Sequence, residues 1–383
     1  MTLGNRALRT TDISAVLDRY RASIEAGMRE ALASASALTT QSAATEDLRA
    51  SLYGQIDYHL GWRDASFKLS ESAQGHGGKL LRPTLTLLAA ELAGGDAAAE
   101  RALPAAVSVE LIHNFSLIHD DIEDGDEMRH HRPTLWRNWG QAQAINTGDA
   151  LFALARMRLL GLTERGVDAG LTLRLVRRVD ATCLELCEGQ HLDMSFEGRR
   201  DVTVAMYLDM IARKTAALMR CATELGGRIG APRHEKLGER LGAFGRALGL
   251  AFQIRDDLLG IWKAQELGKS AAGDVRRKKM SLPVIHALEN ASASDRNALT
   301  HIYFRPGPAN EDQIAEALEI FERCGARPRA LDALREQLHA ARAALDDALN
   351  LAQRNAAREH LEPAAAAQAL GEFLAYISAD AES

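Results

Sequence analysis

The chain has 383 residues, 46% of them hydrophobic but only 5% aromatic, with 9 Pro. That length admits one large or two ordinary domains, and an Ala- and Leu-rich, aromatic-poor chain favours helix over sheet. A formal net charge of −6 gives no general attraction to nucleic acid or to an anionic membrane, so any cations that matter act locally.

The opening segment, MTLGNRALRTTDIS, lacks the apolar core of a signal peptide. No stretch approaches the ~20 apolar residues of a membrane span. Four cysteines (Cys183, Cys187, Cys221, Cys324) do not make a disulfide framework in a chain this long. The expected location is therefore the cytoplasm, with reduced thiols. Residues 13–33 read as an amphipathic helix, and the polar link SASALTTQSAAT follows it. Residues 1–45 are thus expected to form an N-terminal helix and linker, and residues 46–383 the body. Helical patterns cover 46–70, 79–94, 98–123, 140–162, 167–196, 201–227, 233–259, 281–290, 309–325, 328–355 and 361–378. The breaks between them, at GHGG, AGGD, RHHRP, FEGRRD and GAPRH, have turn compositions. From residue 328, Leu331, Leu334, Leu338, Ala341, Leu345 and Leu349 mark one apolar stripe at spacings of three and four. The longest non-helical interval, 260–281, holds Lys269, Arg276, Arg277, Lys278 and Lys279. It reads as a basic lid over a phosphorylated ligand. There is no repeat of fixed period and no convincing alternating strand. The expected fold is all-α, a single large helical domain.

Two acidic clusters close apolar helices: Asp120-Asp121-Ile-Glu123-Asp124 after VSVELIHNFSLIH, and Asp256-Asp257 after FGRALGLAFQI. Asp120 and Asp124 share a helix face. Carboxylates grouped in this way repel one another unless a cation sits between them. Their hard oxygens suit Mg²⁺, which keeps waters and shares its shell with substrate phosphates. Two such clusters facing one cavity would hold a diphosphate through metal ions. Basic groups lie nearby in sequence. Lys79 and Arg82 stand at a helix start, where cations cost stability unless an anion binds. Arg129 and Arg132 follow the first cluster, in reach of the outer oxygens of such a diphosphate. Lys214-Thr215 lies mid-helix in MIARKTAAL, and both an exposed and a buried, paired lysine fit that setting. In Gly189-Gln190-His191-Leu-Asp193 a mid-helix glycine permits a close approach. Cys183, Cys187 and His191 recur at i, i+4 and i+8, which invites a zinc reading. The chain has no CxxC pair, however, and the cysteines read better as small core filling. No GxSxG, HExxH, P-loop or GxGxxG pattern stands in a suitable context.

In matching order, GGKLLRP (77–83), HNFSLIHDDIED (113–124), GQHLD (189–193), KT (214–215), FQIRDD (252–257), GKSAAGD and KKMSLP (278–283) resemble the trans-isoprenyl diphosphate synthase (polyprenyl synthetase) family, in its short-chain type. The resemblance implies ten or more helices around a deep central cavity, usually in a homodimer. It also implies Mg²⁺-dependent head-to-tail condensation of an allylic diphosphate with isopentenyl diphosphate, with about three ions per active site. By the same resemblance, Asp120, Asp121 and Asp124 match the first metal motif, and Asp256 and Asp257 the second. Arg129, Lys214 and Lys269 match groups that hold the allylic diphosphate. Lys79, Arg82 and His113 match groups that hold isopentenyl diphosphate. Gln190, Asp193, Thr215, Gln253 and Lys279 match further cavity positions.

Three departures from the family pattern stand out. The second motif reads Asp-Asp-Leu-Leu-Gly260, without its last Asp. The usual Arg-Arg pair is Arg129-His130, and histidine offers a weaker, pH-dependent charge. The chain ends FLAYISADAES, without the basic tail of some relatives. Phe115 lies about 7.5 Å deeper along the helix than Asp120, where it would floor the cavity beneath a growing prenyl chain. Ser116, one step nearer the metal motif, is too small to block. These features resemble synthases that stop at the C20 product, with C15 the next choice. Two other readings use the same residues: a terpene cyclase-like lyase, and a regulatory subunit of a heteromeric synthase. Intact Lys79, Arg82 and His113 oppose the first, and the retained aspartate pairs oppose the second.

Overall fold

The computed structural model describes residues 13–39, 46–70, 78–266, 273–359 and 362–379. In chain order the helices are α1 (Ile13–Thr39), α2 (Glu46–His59), α3 (Leu81–Glu123), α4 (Leu135–Trp139), α5 (Gln141–Leu160), α6 (Ala169–Phe196) and α7 (Val204–Ile211). A π-helical turn (Ala212–Ala216) runs into α8 (Ala217–Gly230). Then come α9 (Glu235–Glu266), α10 (Gly273–Arg276), α11 (Leu282–Asn290), α12 (Ala293–Tyr303), α13 (Glu311–Arg323), α14 (Ala326–Glu359) and α15 (Pro363–Ala379). The fold is all-α. Among the described residues, β-structure is confined to the bridge Arg63–Leu69 and a two-residue hairpin, β1 (Met128–Arg129) with β2 (Arg132–Pro133).

α3 lies at the centre and is apolar on almost every side, as a core helix must be. It has two helical arms, joined where Gly94 and Gly95 leave helical geometry; Gly95 (φ 73°, ψ −172°) takes a conformation open to glycine alone. The arms fold back side by side, so Arg82 near the start of the first touches His113 in the second, 31 residues on. The break expected at AGGD is therefore a reversal of the chain. α3 packs against α8, α5, α15 and α1; α8 packs on α9, and α9 on α14. The stripe expected in α14 faces this core: Leu334, Ala341 and Leu345 are buried, and Leu331, Leu338 and Leu349 pack at its margin. α1 joins the same body. Its Val16, Leu17, Ile24 and Met28 enter the core, and Glu91 binds both Arg19 (2.9 Å) and Tyr20 (2.5 Å).

Several expected boundaries move. The helix expected over 46–70 stops at His59, because Arg63 folds the next residues into a loop by binding Asp57 (2.7 Å) and the Phe67 carbonyl (2.6 Å). The interval 260–281 is partly helical: α9 continues to Glu266, and α10 adds one turn. Lys269 lies outside the described residues. α12 escapes the sequence pattern, although Ser292 caps it by accepting from the Asp295 amide. RHHRP forms the hairpin turn, with both central residues, His130 (φ 49°) and His131 (φ 62°), in the left-handed region that such turns require.

Candidate active site

Both acidic clusters open onto one region of the helical body. Asp121 and Asp256 line a cavity of about 380 Å³ with Lys79, Arg82, His113, Arg129 and His130. Asp124 lines an adjoining cavity of about 500 Å³ with Asp193, Lys214, Thr215, Gln253 and Lys279. Asp120 lines a third, of about 250 Å³, with Phe115, Ser116, Leu186, Cys187, Gln190 and Met194.

The aspartates do not play equal parts. Burial raises the Asp120 carboxyl to about 7; Lys214 opposes the rise, and Asp124 and Glu123 add to it. Burial likewise raises Asp256 to about 6, against the pull of Arg255. Asp121 is buried and already held by Arg129, through Nε at 2.8 Å and a second guanidinium nitrogen at 2.7 Å. Asp257 is fully buried and saturated. It accepts from Tyr207 Oη, from Gln253 Nε2 (3.2 Å) and from the Leu282 amide (3.1 Å), with Lys279 Nζ at 3.9 Å. It therefore ties α9 to α7 and α11, which leaves Asp256 as the cavity-facing member of the second pair.

The cations come from other elements. Lys214 stands on the π-helical turn, a local widening that is frequent at functional sites. Its Nζ donates to Asp193 Oδ2 at 2.5 Å. Burial disfavours its charge, but Asp193 and Asp120 outweigh burial, and its pKa rises. Gly189 allows this contact, since a Cβ there would come within 2.3 Å of the Lys214 backbone nitrogen. Thr215 donates to Gln253 Oε1 at 2.9 Å. Lys279 is likewise held charged: Asp257, Asp274 and Asp193 outweigh the effect of burial. In the cavity of about 380 Å³, Arg82 donates to His113 Nε2 at 3.1 Å. Arg can only donate, and burial together with Arg82 keeps His113 well below its ordinary pKa, hence neutral. Arg82 Nε is buried without a hydrogen-bond partner. Such a donor is costly unless a ligand oxygen meets it.

The absent third aspartate has a structural counterpart. A Cβ at Gly260 would lie 2.1 Å from Asp274 Oδ2. Asp274, from α10, is buried and paired with Arg277 at 2.9 Å. A carboxylate thus already fills the space beside position 260.

Sequence reasoning missed four groups. Tyr207 is fully buried on Asp257. Arg255 is buried beside Asp256. His59 lines the cavity of about 380 Å³ and is pushed down to about 3 by burial and Arg129. Tyr376, on α15, receives a hydrogen bond from Lys79. Arg255 sits inside the quoted FQIRDD motif; the other three carry no local signal. Arg132 lines the cavity of about 380 Å³, but its guanidinium is spent on the carbonyls of Tyr58 (2.9 Å) and Arg63 (2.7 Å). Of the cysteine pair, Cys183 is core filling, but Cys187 is exposed and lines the cavity under Asp120.

Among the described residues no three carboxylate or imidazole side chains form a ready-made metal cage. The donor set nevertheless fits Mg²⁺, an ion that takes one or two carboxylates and completes its shell with water and phosphate. Burial is the main cause of the raised carboxyl pKa values, and a bound divalent cation would favour the ionised forms.

The polyprenyl synthetase family model matches residues 66–321. Over 274 residues the chain is 42% identical to a (2E,6E)-farnesyl diphosphate synthase of Mycobacterium bovis, covering 70% of this chain and 73% of that protein. Over 307 residues it is 40% identical to a geranylgeranyl diphosphate synthase of Mycobacterium tuberculosis, covering 80% and 85%. The crystal structure of a polyprenyl synthetase from Streptomyces coelicolor aligns with a TM-score of 0.78 at 34% identity, over 96% of this chain and 99% of that one.

Two predictions follow from this geometry. Restoring the motif with Gly260→Asp should destabilise the protein by about 1–3 kcal/mol, the cost of overpacking, and lower turnover. A melting temperature and rate at or above the parent's would show that Asp274 does not fill that space. Because protons compete for Asp120 and Asp256, apparent Mg²⁺ affinity should weaken from pH 8 to pH 6, by up to roughly tenfold per unit. Titration of activity with Mg²⁺ at each pH measures this, and a flat profile contradicts it.

Proposed function

The chain belongs to the polyprenyl synthetase family, and on that premise we propose that it is a short-chain trans-prenyltransferase that condenses isopentenyl diphosphate with allylic diphosphates. The observation that carries this reading is the convergence of both acidic clusters, with eleven basic or imidazole side chains, on one group of adjoining cavities.

The family is Mg²⁺-dependent, and Asp120, Asp124 and Asp256 are the carboxylates that would hold the ions, about three per site. When bound, they supply neutralisation of the leaving diphosphate. The chain's own residues do the rest. Lys214, Arg129, Lys279 and Lys269 draw charge from the allylic diphosphate as its C–O bond ionises. Thr215 and Gln253 fix the floor beside Lys214, while Gln190 and Asp193 bound the same space from α6. Lys79, Arg82, His113 and His130 hold isopentenyl diphosphate, with Arg82 Nε as the waiting donor. The alkene attacks the allylic carbon, and the proton is then lost to the departed diphosphate. An apolar pocket around Phe115 keeps water from the carbocation.

Product length follows from what lies beneath Asp120. Phe115 is backed by Phe152 of α5, with ring centroids 5.4 Å apart, and flanked by His119 at 5.2 Å. Two phenyl rings in series floor the pocket, and Ser116 leaves its mouth open. This supports a C20 product, with C15 the next shorter. The chain acts in the cytoplasm as a homodimer; in support, no helix of the described residues is long and apolar enough to cross a membrane. Neighbouring α5 and α6 also leave Ile145, Met157, Leu160, Leu173 and Leu184 exposed.

Chromatography of products made from labelled isopentenyl diphosphate and each allylic primer tests the reaction. Incorporation into a prenyl diphosphate is expected; release of diphosphate with an olefin product would instead mark a lyase. Asp120→Asn should lower kcat at least about 100-fold, in line with loss of one major electrostatic contact, and undiminished turnover would point to a non-catalytic subunit. Phe115→Ala should lengthen the product by one or more isoprene units, and an unchanged product spectrum refutes the floor.

A further inference from the structure

Helix α15 carries none of the family motifs and lies beyond the matched segment. It nonetheless delivers Tyr376 to Lys79, which lines the cavity that holds Arg82 and His113. Lys79 Nζ donates to Tyr376 Oη at 2.6 Å and stands 5.3 Å from the ring centroid. The buried Arg255 guanidinium lies 4.5 Å from the same centroid, and its Nη1 is 3.8 Å from Asp256 Oδ1. One phenol therefore touches a cation from each half of the site.

The chemistry of that contact is specific. Lys79 is exposed, and a free lysine loses much rotamer freedom when a ligand fixes it. Its ammonium carries three donors. Tyr376 occupies one and leaves two for phosphate oxygens. A carboxylate in the same place would cancel the charge; a neutral phenol orients it and leaves it intact. Arg255 braces the same phenol, through a cation–π contact with the ring and a side-chain hydrogen bond to the hydroxyl, so the acceptor is fixed from behind.

We propose that Tyr376 is a positioning residue for isopentenyl diphosphate, holding the Lys79 ammonium pre-oriented toward the diphosphate. The inference rests on the reading of Lys79 as a ligand of that substrate. In this role α15 acts through an aromatic hydroxyl that steers an existing cation.

Steady-state kinetics of the full-length enzyme with Mg²⁺ test it. Tyr376→Phe keeps the ring and removes only Oη. The KM for isopentenyl diphosphate should rise roughly three- to tenfold, the scale of one ordinary hydrogen bond, with kcat and the allylic KM unchanged. A purely structural role would leave that KM in place or move all three constants together with the melting temperature. Lys79→Ala should raise the same KM further, and adding Tyr376→Phe to it should change nothing more. If Lys79→Ala raises the KM and Tyr376→Phe does not, or if the two effects add, the positioning role is overturned and the site reading stands. If Lys79→Ala itself leaves the KM untouched, both fall.

Discussion

Negative charge packed into a half-dry cavity is the constraint on which the rest of this structure depends. Asp120, Asp124 and Asp256 sit where burial and mutual repulsion disfavour their ionised forms. The protein balances this only in part. Lys214 answers the first cluster from the π-helical turn, and Arg255 and Lys279 answer the second. Of the neighbouring carboxylates, Asp257 is fully engaged by protein partners and acts as a strut, while Asp121 lines the cavity with Oδ1 held by Arg129. The charge left over is what a divalent cation and a polyphosphate would complete together.

The scaffold follows from that need. Because α3 reverses at Gly94–Gly95, a single apolar stretch places Arg82 beside His113 at one side of the cavity and ends in the first acidic cluster at another. α9 brings Gln253, Arg255, Asp256 and Asp257 on one run of helix, and α10 returns Asp274 against Gly260. Position 260 therefore has the Asp274 carboxylate packed against it, with no room for a second one.

What the sequence made legible shares a physical cause. Helical periodicity, a Gly-Gly break and paired aspartates are local signals, and they marked most helices, the reversal in α3 and the acidic clusters. The contacts that decide which aspartate faces the cavity are not local. Tyr207 reaches Asp257 across 50 residues, and Lys79 reaches Tyr376 across 297. Neither tyrosine lies in a pattern that spacing can reveal, and His59 enters the site only because Arg132 fastens the end of α2 to the hairpin. The π-helical turn at Lys214 was equally hidden; it packs closely against Gly189, a contact that is not local in the chain. The end of α2 was misjudged for a related reason: Arg63 stops it through contacts that no helical propensity records.

The central claim is that the two acidic clusters grip one metal-bound pyrophosphate between them. A crystal structure of the protein grown with inorganic diphosphate and Mn²⁺, read by anomalous scattering, tests it most directly. The account predicts metal peaks beside Asp120 and Asp124 and another beside Asp256, all sharing oxygens of a single diphosphate. Metal at only one cluster, or a diphosphate bound away from both, would contradict it.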